Sequence, residues 1–144
     1  CAKAHDAYGA QIAARSERLL SALVSADCGI YPTVDVPYGP GRLPGTVNVF
    51  VRGIEAGSVL LRLDAAGYEI SSGSACSSVS LDPSHVIRAM GVPFTAVHGS
   101  VRFSLSRYTT EEEVDAAIRA LTELAREPFE GAETVFEYNP VTMM

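Results

Sequence analysis

Hydrophobic residues recur at helical spacing near both ends of the chain. The first stripe consists of Tyr8, Ile12, Leu19, Leu20 and Leu23. It predicts an amphipathic helix over residues 4–25. The second stripe consists of Val114, Ala117, Ile118, Leu121, Leu124 and Ala125. Thr110 and Glu113 precede it at capping-box spacing, so a second amphipathic helix is predicted to begin there.

Short β-branched or alternating segments lie between these two helices. Four of them are predicted as strands: GIYP at 29–32, TVNVFV at 46–51, YEIS at 68–71 and SVRFSL at 100–105. In the last segment the odd-numbered residues are apolar and share one face. Ser100, Arg102 and Ser104 therefore share the other face.

Two further helices are indicated by their start and stop signals. Residues 55–66 are predicted to be helical, with Gly67 ending the helix. Asp82 and Pro83 are a typical helix start, and Gly91 is a typical end, so a short helix is predicted between them. Helices that alternate with a few short strands predict a two-layer α/β domain.

The composition suits a single folded domain. The chain has 144 residues, of which 47% are hydrophobic and 19% charged, and its formal net charge is −6. We assign residues 1–126 to the domain, and periodicity assigns no structure to the tail at 127–144. The negative charge disfavours binding to nucleic-acid phosphates. No apolar run approaches the ~20 residues that a membrane span needs.

The cysteines give no sign of a disulfide framework or a metal site. Cys1, Cys28 and Cys76 are widely spaced and form no CxxC pair. A reducing cytoplasm is therefore the expected compartment. The chain opens on Cys1 rather than on Met, which suggests part of a longer protein.

Cys76 lies in an unusual segment, SSGSACSSVS at 71–80. Ordering ten residues costs on the order of 10 to 20 kcal/mol of backbone entropy, and these side chains offer little apolar area to offset it. A loose loop is therefore predicted. An exposed thiol in polar surroundings is typical of a reactive cysteine, although an incidental cysteine in a serine linker remains the alternative.

Arg102 is the candidate binding residue. It lies between two small hydroxyl residues on the polar face of its strand, which leaves room for a carboxylate held through two hydrogen bonds. A solvated arginine on an exposed sheet is the alternative. Asn48, His98 and Ser100 are possible neighbours in such a site. The remaining histidines and cysteines are given structural roles, because none has ligand spacing: His5, His85, Cys1 and Cys28.

Four blocks of sequence together resemble a known family. They are RLPGTVNVFV, GIEAGSVLLRLD, SSGSACSSVSLDPSHVIRAMG and HGSVRFSLSRYTTEEEVD. Over residues 42–125 the chain resembles the C-terminal part of cysteine desulfurases of the NifS/IscS type, in the class V aminotransferase family. The resemblance implies the small C-terminal domain of a fold-type I pyridoxal-phosphate-dependent transferase, with a mixed or antiparallel sheet and helices packed on one face.

The resemblance also implies an activity. Members convert L-cysteine to L-alanine, and Cys76 matches the loop cysteine that takes the sulfur as a persulfide. Arg102 matches the arginine that holds the substrate carboxylate. The implied partners are an acceptor protein such as an iron–sulfur scaffold, in iron–sulfur cluster assembly, and a second subunit of a homodimer.

Pyridoxal phosphate is expected in the full-length protein but not in this chain alone. The family binds this cofactor as a Schiff base on a lysine of a large N-terminal domain. The one lysine of this chain, Lys3, lies outside every matching motif. Ser106 stands where the family usually has glycine, and Gly45 stands where asparagine is common.

Two other interpretations stay open. One is a non-enzymatic sulfur-relay or docking domain that uses Cys76 without pyridoxal phosphate. The other is a fragment of a different class V enzyme, such as a selenocysteine lyase or a transaminase.

Overall fold

The computed structural model of the chain describes residues 2–34, 41–72 and 84–127. Five helices and four strands lie within these ranges. In chain order they are α1 (Ala2–Ser25), β1 (Ile30–Pro32), β2 (Thr46–Val51), α2 (Ala56–Ala65), β3 (Ser71–Ser72), α3 (His85–Ala89), α4 (Phe94–His98), β4 (Ser100–Ser104) and α5 (Glu111–Arg126).

The four strands form one sheet in the order β1-β2-β4-β3, and all three strand pairs are antiparallel. β2 and β4 are the central strands. Their register places Asn48 opposite Arg102 and Val49 opposite Val101. On the other side of β4, Ser71 of β3 also lies opposite Arg102.

The three long helices pack on one face of the sheet. The main core combines Val47, Val49, Val101 and other apolar strand residues with residues of α1, α2 and α5. Each fully buried aliphatic side chain contributes roughly 1.5 to 3 kcal/mol. The expected α/β architecture is confirmed, and these three helices form its main helical layer.

A smaller cluster lies on the opposite face, around Phe50. It contains residues of α3, α4 and the turn between them: Ile87, Val92, Ala96 and Val97. Tyr31 stacks on the Phe50 ring, with 5.4 Å between ring centroids. The short helices therefore cover the end of β2 near Phe50.

The structure differs from the predictions in the short elements. α4 is not predicted, because five residues are too few to show a helical period. β3 is only Ser71–Ser72, since Tyr68 and Ile70 pack against the main core before strand pairing begins. α3 begins at His85 with Ser84 as its N-cap, so Pro83 is not its first residue; Asp82 and Pro83 lie outside the described residues.

The helix predictions hold more closely. α1 begins two residues before the predicted start and ends at the predicted Ser25. Leu19 and Leu23 are fully buried, whereas Tyr8 is 44% exposed. The Tyr8 ring instead lies under the guanidinium of Arg107, 5.7 Å from its centroid. Among the described residues no helix is long and apolar enough to cross a membrane.

The capping box of α5 is formed as predicted. The Glu113 backbone N–H donates to Thr110 Oγ1 at 3.2 Å, and the Thr110 N–H donates to Glu113 Oε2 at 2.7 Å. These bonds satisfy donors that the first turn of a helix otherwise leaves unpaired. They fix the residue at which α5 begins.

Ion pairs align α1 with α5 on the protein surface. Arg15 Nε lies 3.0 Å from Glu111 Oε1, and Arg18 pairs with both Glu111 and Asp115. Hydrogen bonds from Arg15 and then Arg18 are the main reasons why the pKa of Glu111 lies below its usual value. Exposed pairs of this kind contribute little individually, so their joint effect is to orient the two helices.

Replacing the N-cap of α5 should destabilise the domain. We expect Thr110→Ala to lower the free energy of unfolding by about 1 kcal/mol, because the Glu113 N–H loses its acceptor. Urea denaturation followed by circular dichroism measures this change. Thr110→Ser keeps a hydroxyl and should retain most of the stability. Equal losses in the two variants would show that the hydroxyl is not the cause.

Neutralising Glu111 should change how stability depends on pH. Because its folded-state pKa is lowered, the carboxylate stabilises the fold above its unfolded pKa, near the usual value of 4.5, and the stabilisation is lost as the pH falls through the folded-state pKa. We therefore expect the stability difference between the wild type and Glu111→Gln to be largest near neutral pH and to shrink in acid.

Urea denaturation at a series of pH values tests this expectation. Glu112→Gln is the matched control, since Glu112 is exposed and forms no ion pair with the described residues. A wild-type-minus-Glu111→Gln difference that stays constant through the acid range would refute the assigned role of the ion pairs.

Candidate active site

A cleft of about 370 Å³ lies on the sheet face opposite the main core. Its polar lining comprises Thr33, Arg42, Thr46, Asn48, Ser84 and Arg102. Its apolar lining comprises Val34, Leu43, Val86, Ile87 and Met90. The cleft is therefore bounded by the central strands, by the loop before β2 and by α3.

Arg102 and Asn48 lie side by side in this cleft. They occupy directly opposed positions on β4 and β2, where Cβ atoms are typically about 4.5 to 5.5 Å apart. Their neighbours along the strands, Val47, Val49 and Val101, enter the core. Strand alternation therefore directs the Arg102 and Asn48 side chains to the opposite face, where both are half-buried.

Two buried hydroxyl groups hold the Asn48 side chain. Ser100 Oγ donates a hydrogen bond to Asn48 Oδ1 at 2.7 Å, and Thr33 Oγ1 donates to the same oxygen. Ser100 and Thr33 are each only 1% exposed. The Thr33 backbone N–H also donates to the Asn48 carbonyl oxygen at 3.1 Å. The side chain and the backbone of Asn48 are thus both hydrogen-bonded to neighbouring chain segments.

The cleft has a positive lining. Arg42, which is half-buried, brings a second guanidinium, and its Nη2 donates to the Thr46 carbonyl oxygen at 3.3 Å. No described aspartate or glutamate lines the cleft. Two guanidinium groups in one cleft favour an anionic ligand, although the whole chain carries a net charge of −6.

The other predicted site residues have different outcomes. Ser100 joins the site through Asn48, not through the cleft wall. His98 ends α4, is half-buried, and is not among the described residues that line the cleft. Cys76 lies outside the described residues. Its segment follows Ser71, which is paired with Arg102, and ends before Ser84 in the cleft wall.

The residues that were given structural roles include Cys28, which is half-buried against the main core. Burial raises the pKa of the Cys28 thiol, which makes it a poor nucleophile at neutral pH. His85 is exposed at the start of α3. Cys1 and the His5 side chain lie outside the described part of the structure. Within that part, no group of three or more His, Cys, Asp or Glu residues is arranged to hold a metal ion.

The two departures from the family pattern have local explanations. Ser106 Oγ accepts a hydrogen bond from the Tyr108 N–H at 3.1 Å, so the serine helps to form the turn before α5. Gly45 lies so close to the end of β4 that an added Cβ would be 2.4 Å from the Leu105 carbonyl oxygen. This backbone has no room for asparagine at position 45.

The chain matches a known protein family over most of its length. The family "Aminotransferase class-V" matches residues 2–117. The chain belongs to the class V aminotransferase family. Full-length members of this family depend on pyridoxal phosphate. The match covers the whole sheet and the first seven of the sixteen residues of α5.

Several similar relatives are cysteine desulfurases. A cysteine desulfurase of Azotobacter chroococcum is 52% identical over 104 residues, which are 72% of this chain and 26% of the relative. The cysteine desulfurase NifS of Azotobacter vinelandii is 62% identical over 78 residues, which are 54% of this chain and 19% of NifS. This class V chain therefore spans about a quarter of these relatives or less.

The fold is also similar to part of a solved structure. A NifS-like protein from Rickettsia africae aligns with a TM-score of 0.65 and 26% identity. The alignment covers 81% of this chain and 29% of the Rickettsia chain. The class V chain thus corresponds in both sequence and fold to a fragment of larger enzymes.

Sequence reasoning proposed only Asn48 and Arg102 among the residues that line the cleft, and the residues it missed include Thr33 and Arg42. Thr33 follows β1 and reaches Asn48 only because β1 lies beside β2. Arg42 lies in a loop rich in glycine and proline, where no periodicity indicates the direction of a side chain. The one local sign that Arg42 belongs to the site is its position, four residues before β2 begins at Thr46.

Proposed function

We propose that this chain is the C-terminal part of a cysteine desulfurase, which converts L-cysteine to L-alanine and holds the sulfur as a persulfide on Cys76. The observation that carries the proposal is the position of Arg102. It lies in a positively lined cleft and is paired with β3, the strand from which the Cys76 segment departs. In the proposed enzyme, one site would combine carboxylate recognition by Arg102 with the thiol of Cys76.

Arg102 is the residue that binds the substrate carboxylate. Its planar guanidinium can donate two parallel hydrogen bonds, and each charge-assisted bond contributes roughly 1.5 to 3 kcal/mol. Its attachment to a central strand restricts the position of this fork. Arg42 adds positive charge to the same cleft and further favours an anionic substrate.

Cys76 receives the sulfur. It is the fifth residue after Ser71, so its Cα can lie at most about 18 Å from the Cα of Ser71, the residue paired with Arg102. Its thiolate attacks the substrate sulfur, and an S–S bond forms as the substrate C–S bond breaks. The electron pair of the broken bond stays on carbon, which takes a proton and leaves as part of L-alanine. The persulfide then passes to an acceptor protein such as an iron–sulfur scaffold.

The residues of this chain do not fit the cofactor by themselves. No lysine is among the described residues that line the cleft, and the single lysine of the chain, Lys3, belongs to α1. Pyridoxal phosphate, held by the rest of the enzyme, would supply the sink for the electrons of the substrate carbon. The chain alone is therefore expected to be inactive.

Exposed apolar residues at the edge of the cleft indicate that another part of the enzyme covers it. Leu43, Val86 and Met90 line the cleft yet are 74%, 56% and 52% exposed. Exposed apolar side chains around a polar site are typical of a surface that another part of the protein covers. In the complete enzyme, a cytoplasmic homodimer, the cofactor domain would close this side of the cleft.

A sulfur-relay domain is the second candidate. The absence of lysine from the described cleft lining favours it, because a relay needs Cys76 but no Schiff base. In that case Cys76 would accept sulfur from an external persulfide donor, and no alanine would form. Alanine production from L-cysteine by the complete protein decides between the two functions.

Removing the Cys76 thiol should abolish sulfur transfer. In the complete enzyme we expect Cys76→Ser to form no persulfide and to release no sulfide, because a hydroxyl cannot accept the sulfur. The absorbance of bound pyridoxal phosphate should be unchanged. Persulfide labelling followed by mass spectrometry measures the loss, and Cys28→Ser is the matched thiol control. Normal turnover by Cys76→Ser would end its assignment as acceptor.

Removing the Arg102 guanidinium should weaken substrate binding instead. We expect Arg102→Ala to lower kcat/KM for L-cysteine by about two to four orders of magnitude, through the loss of two charge-assisted bonds. Arg102→Lys should recover only part, because an ammonium group lacks the planar fork. Steady-state alanine production measures both variants, and exposed Arg119→Ala is the control. Normal cysteine binding by Arg102→Ala would refute the carboxylate assignment.

A further inference from the structure

We propose that Asn48 is a second recognition residue for the substrate carboxylate, and that Thr33 and Ser100 are positioning residues which orient its amide. The Asn48 NH₂ group would donate to the carboxylate beside the Arg102 guanidinium. This inference rests on the proposed function. It adds a substrate contact within the chain itself.

The first step concerns the orientation of the Asn48 amide. Its oxygen can accept two hydrogen bonds, and the Thr33 and Ser100 hydroxyls supply both. The amide oxygen is therefore turned towards the two hydroxyls. The NH₂ group is the part of the side chain left to face the cleft, and no described residue accepts a hydrogen bond from it.

The second step is that the opposite amide orientation is unfavourable. Both hydroxyls are buried, and neither donates a hydrogen bond to any other described residue. If the amide turned over, its nitrogen would replace the oxygen that accepts their hydrogens. Two buried donors would then be unpaired, which proteins avoid. The hydroxyl pair thus selects one of the two amide orientations.

The third step concerns the position relative to Arg102. Asn48 and Arg102 are directly opposed on neighbouring strands and line the same cleft. A carboxylate has about four lone-pair directions, and a guanidinium fork uses two of them. A neutral amide donor beside the fork can use a third without electrostatic repulsion of the arginine. A ligand without an anionic oxygen gains much less from this pair of groups.

The test is Asn48→Asp in the complete enzyme. Aspartate has nearly the same shape and keeps an oxygen for both hydroxyls, but it replaces the NH₂ donor with a charged oxygen that repels a carboxylate. We expect KM for L-cysteine to rise about ten- to a hundredfold, with kcat changed much less. Inhibition by L-alanine, which has a carboxylate, should weaken relative to inhibition by L-alaninamide, which has none.

The decisive measurement is the preference for the acid inhibitor, L-alanine, over the amide inhibitor, L-alaninamide. Thr33→Val and Ser100→Ala should each reduce this preference by about three- to tenfold, since each removes one orienting hydroxyl. Neither should reduce it further when combined with Asn48→Asp. Thr33→Ser keeps the hydroxyl and should restore the wild-type preference. These variants also test the proposal if Asn48→Asp does not fold.

A purely structural role gives a different result. The variants would then lose thermal stability, while the preference for L-alanine over L-alaninamide would stay at the wild-type value, and the proposal would be wrong. Ser104→Ala is the control, because Ser104 is exposed on the same face of β4 and is not among the described residues lining the cleft. It should leave KM and the preference unchanged.

Failure of this inference can be distinguished from failure of the proposed function. If Arg102→Ala weakens cysteine binding but Asn48→Asp keeps the wild-type preference, only the role of Asn48 is refuted. If the complete protein forms no alanine from L-cysteine and binds neither inhibitor, both proposals are overturned together.

Discussion

The pairing of β2 with β4 is the interaction on which the rest of the structure depends. Its register directs Val47, Val49 and Val101 into the main core. Because strand side chains alternate, the same register directs Asn48 and Arg102 to the opposite face. A slip of one residue would turn the guanidinium towards the apolar core, at a large cost in desolvation. Stability and the composition of the cleft are thus set by one strand pairing.

The helical layer leaves the opposite sheet face available for a site. α1, α2 and α5 cover the apolar face, and surface ion pairs between α1 and α5 align these two helices on the side of the main core. The only described helices on the cleft side are α3 and α4, which pack around Phe50. They contribute apolar residues to the cleft wall but cover only part of the polar strand face. The site can therefore form from strand residues without disturbing the core.

The sequence predicts those parts of the fold that repeat a period over several residues. β2 and β4 match their predicted segments closely, and α5 begins at its predicted cap. α4 is too short to show a period. Residues 68–70 are predicted as strand because Tyr68 and Ile70 alternate with a polar residue. These two side chains pack on the core, and a local pattern cannot distinguish such packing from strand pairing.

The same limit applies to the site. Asn48 is identifiable because it interrupts an apolar strand, and Arg102 because it is the charged residue on the polar face of an alternating strand. The register that places these two residues side by side cannot be identified from the sequence, since 54 positions separate them along the chain. Thr33 is recognisable only once β1 is known to lie beside β2. The role of Cys76 stays a prediction, because it rests on the composition of its segment and on the family resemblance.

The proposed chemistry makes two opposite demands on one domain. Carboxylate recognition needs donors held in fixed positions, and the central strands hold Arg102 and the Asn48 amide side by side. Sulfur transfer needs a thiol that can approach first the substrate and then an acceptor. A residue on a central strand, held by pairing on both sides, could not do so. In the proposed function, a thiol just beyond the two-residue strand β3 would meet both demands, because the strand fixes Ser71 beside Arg102 and the serine-rich sequence around Cys76 offers little apolar area for packing.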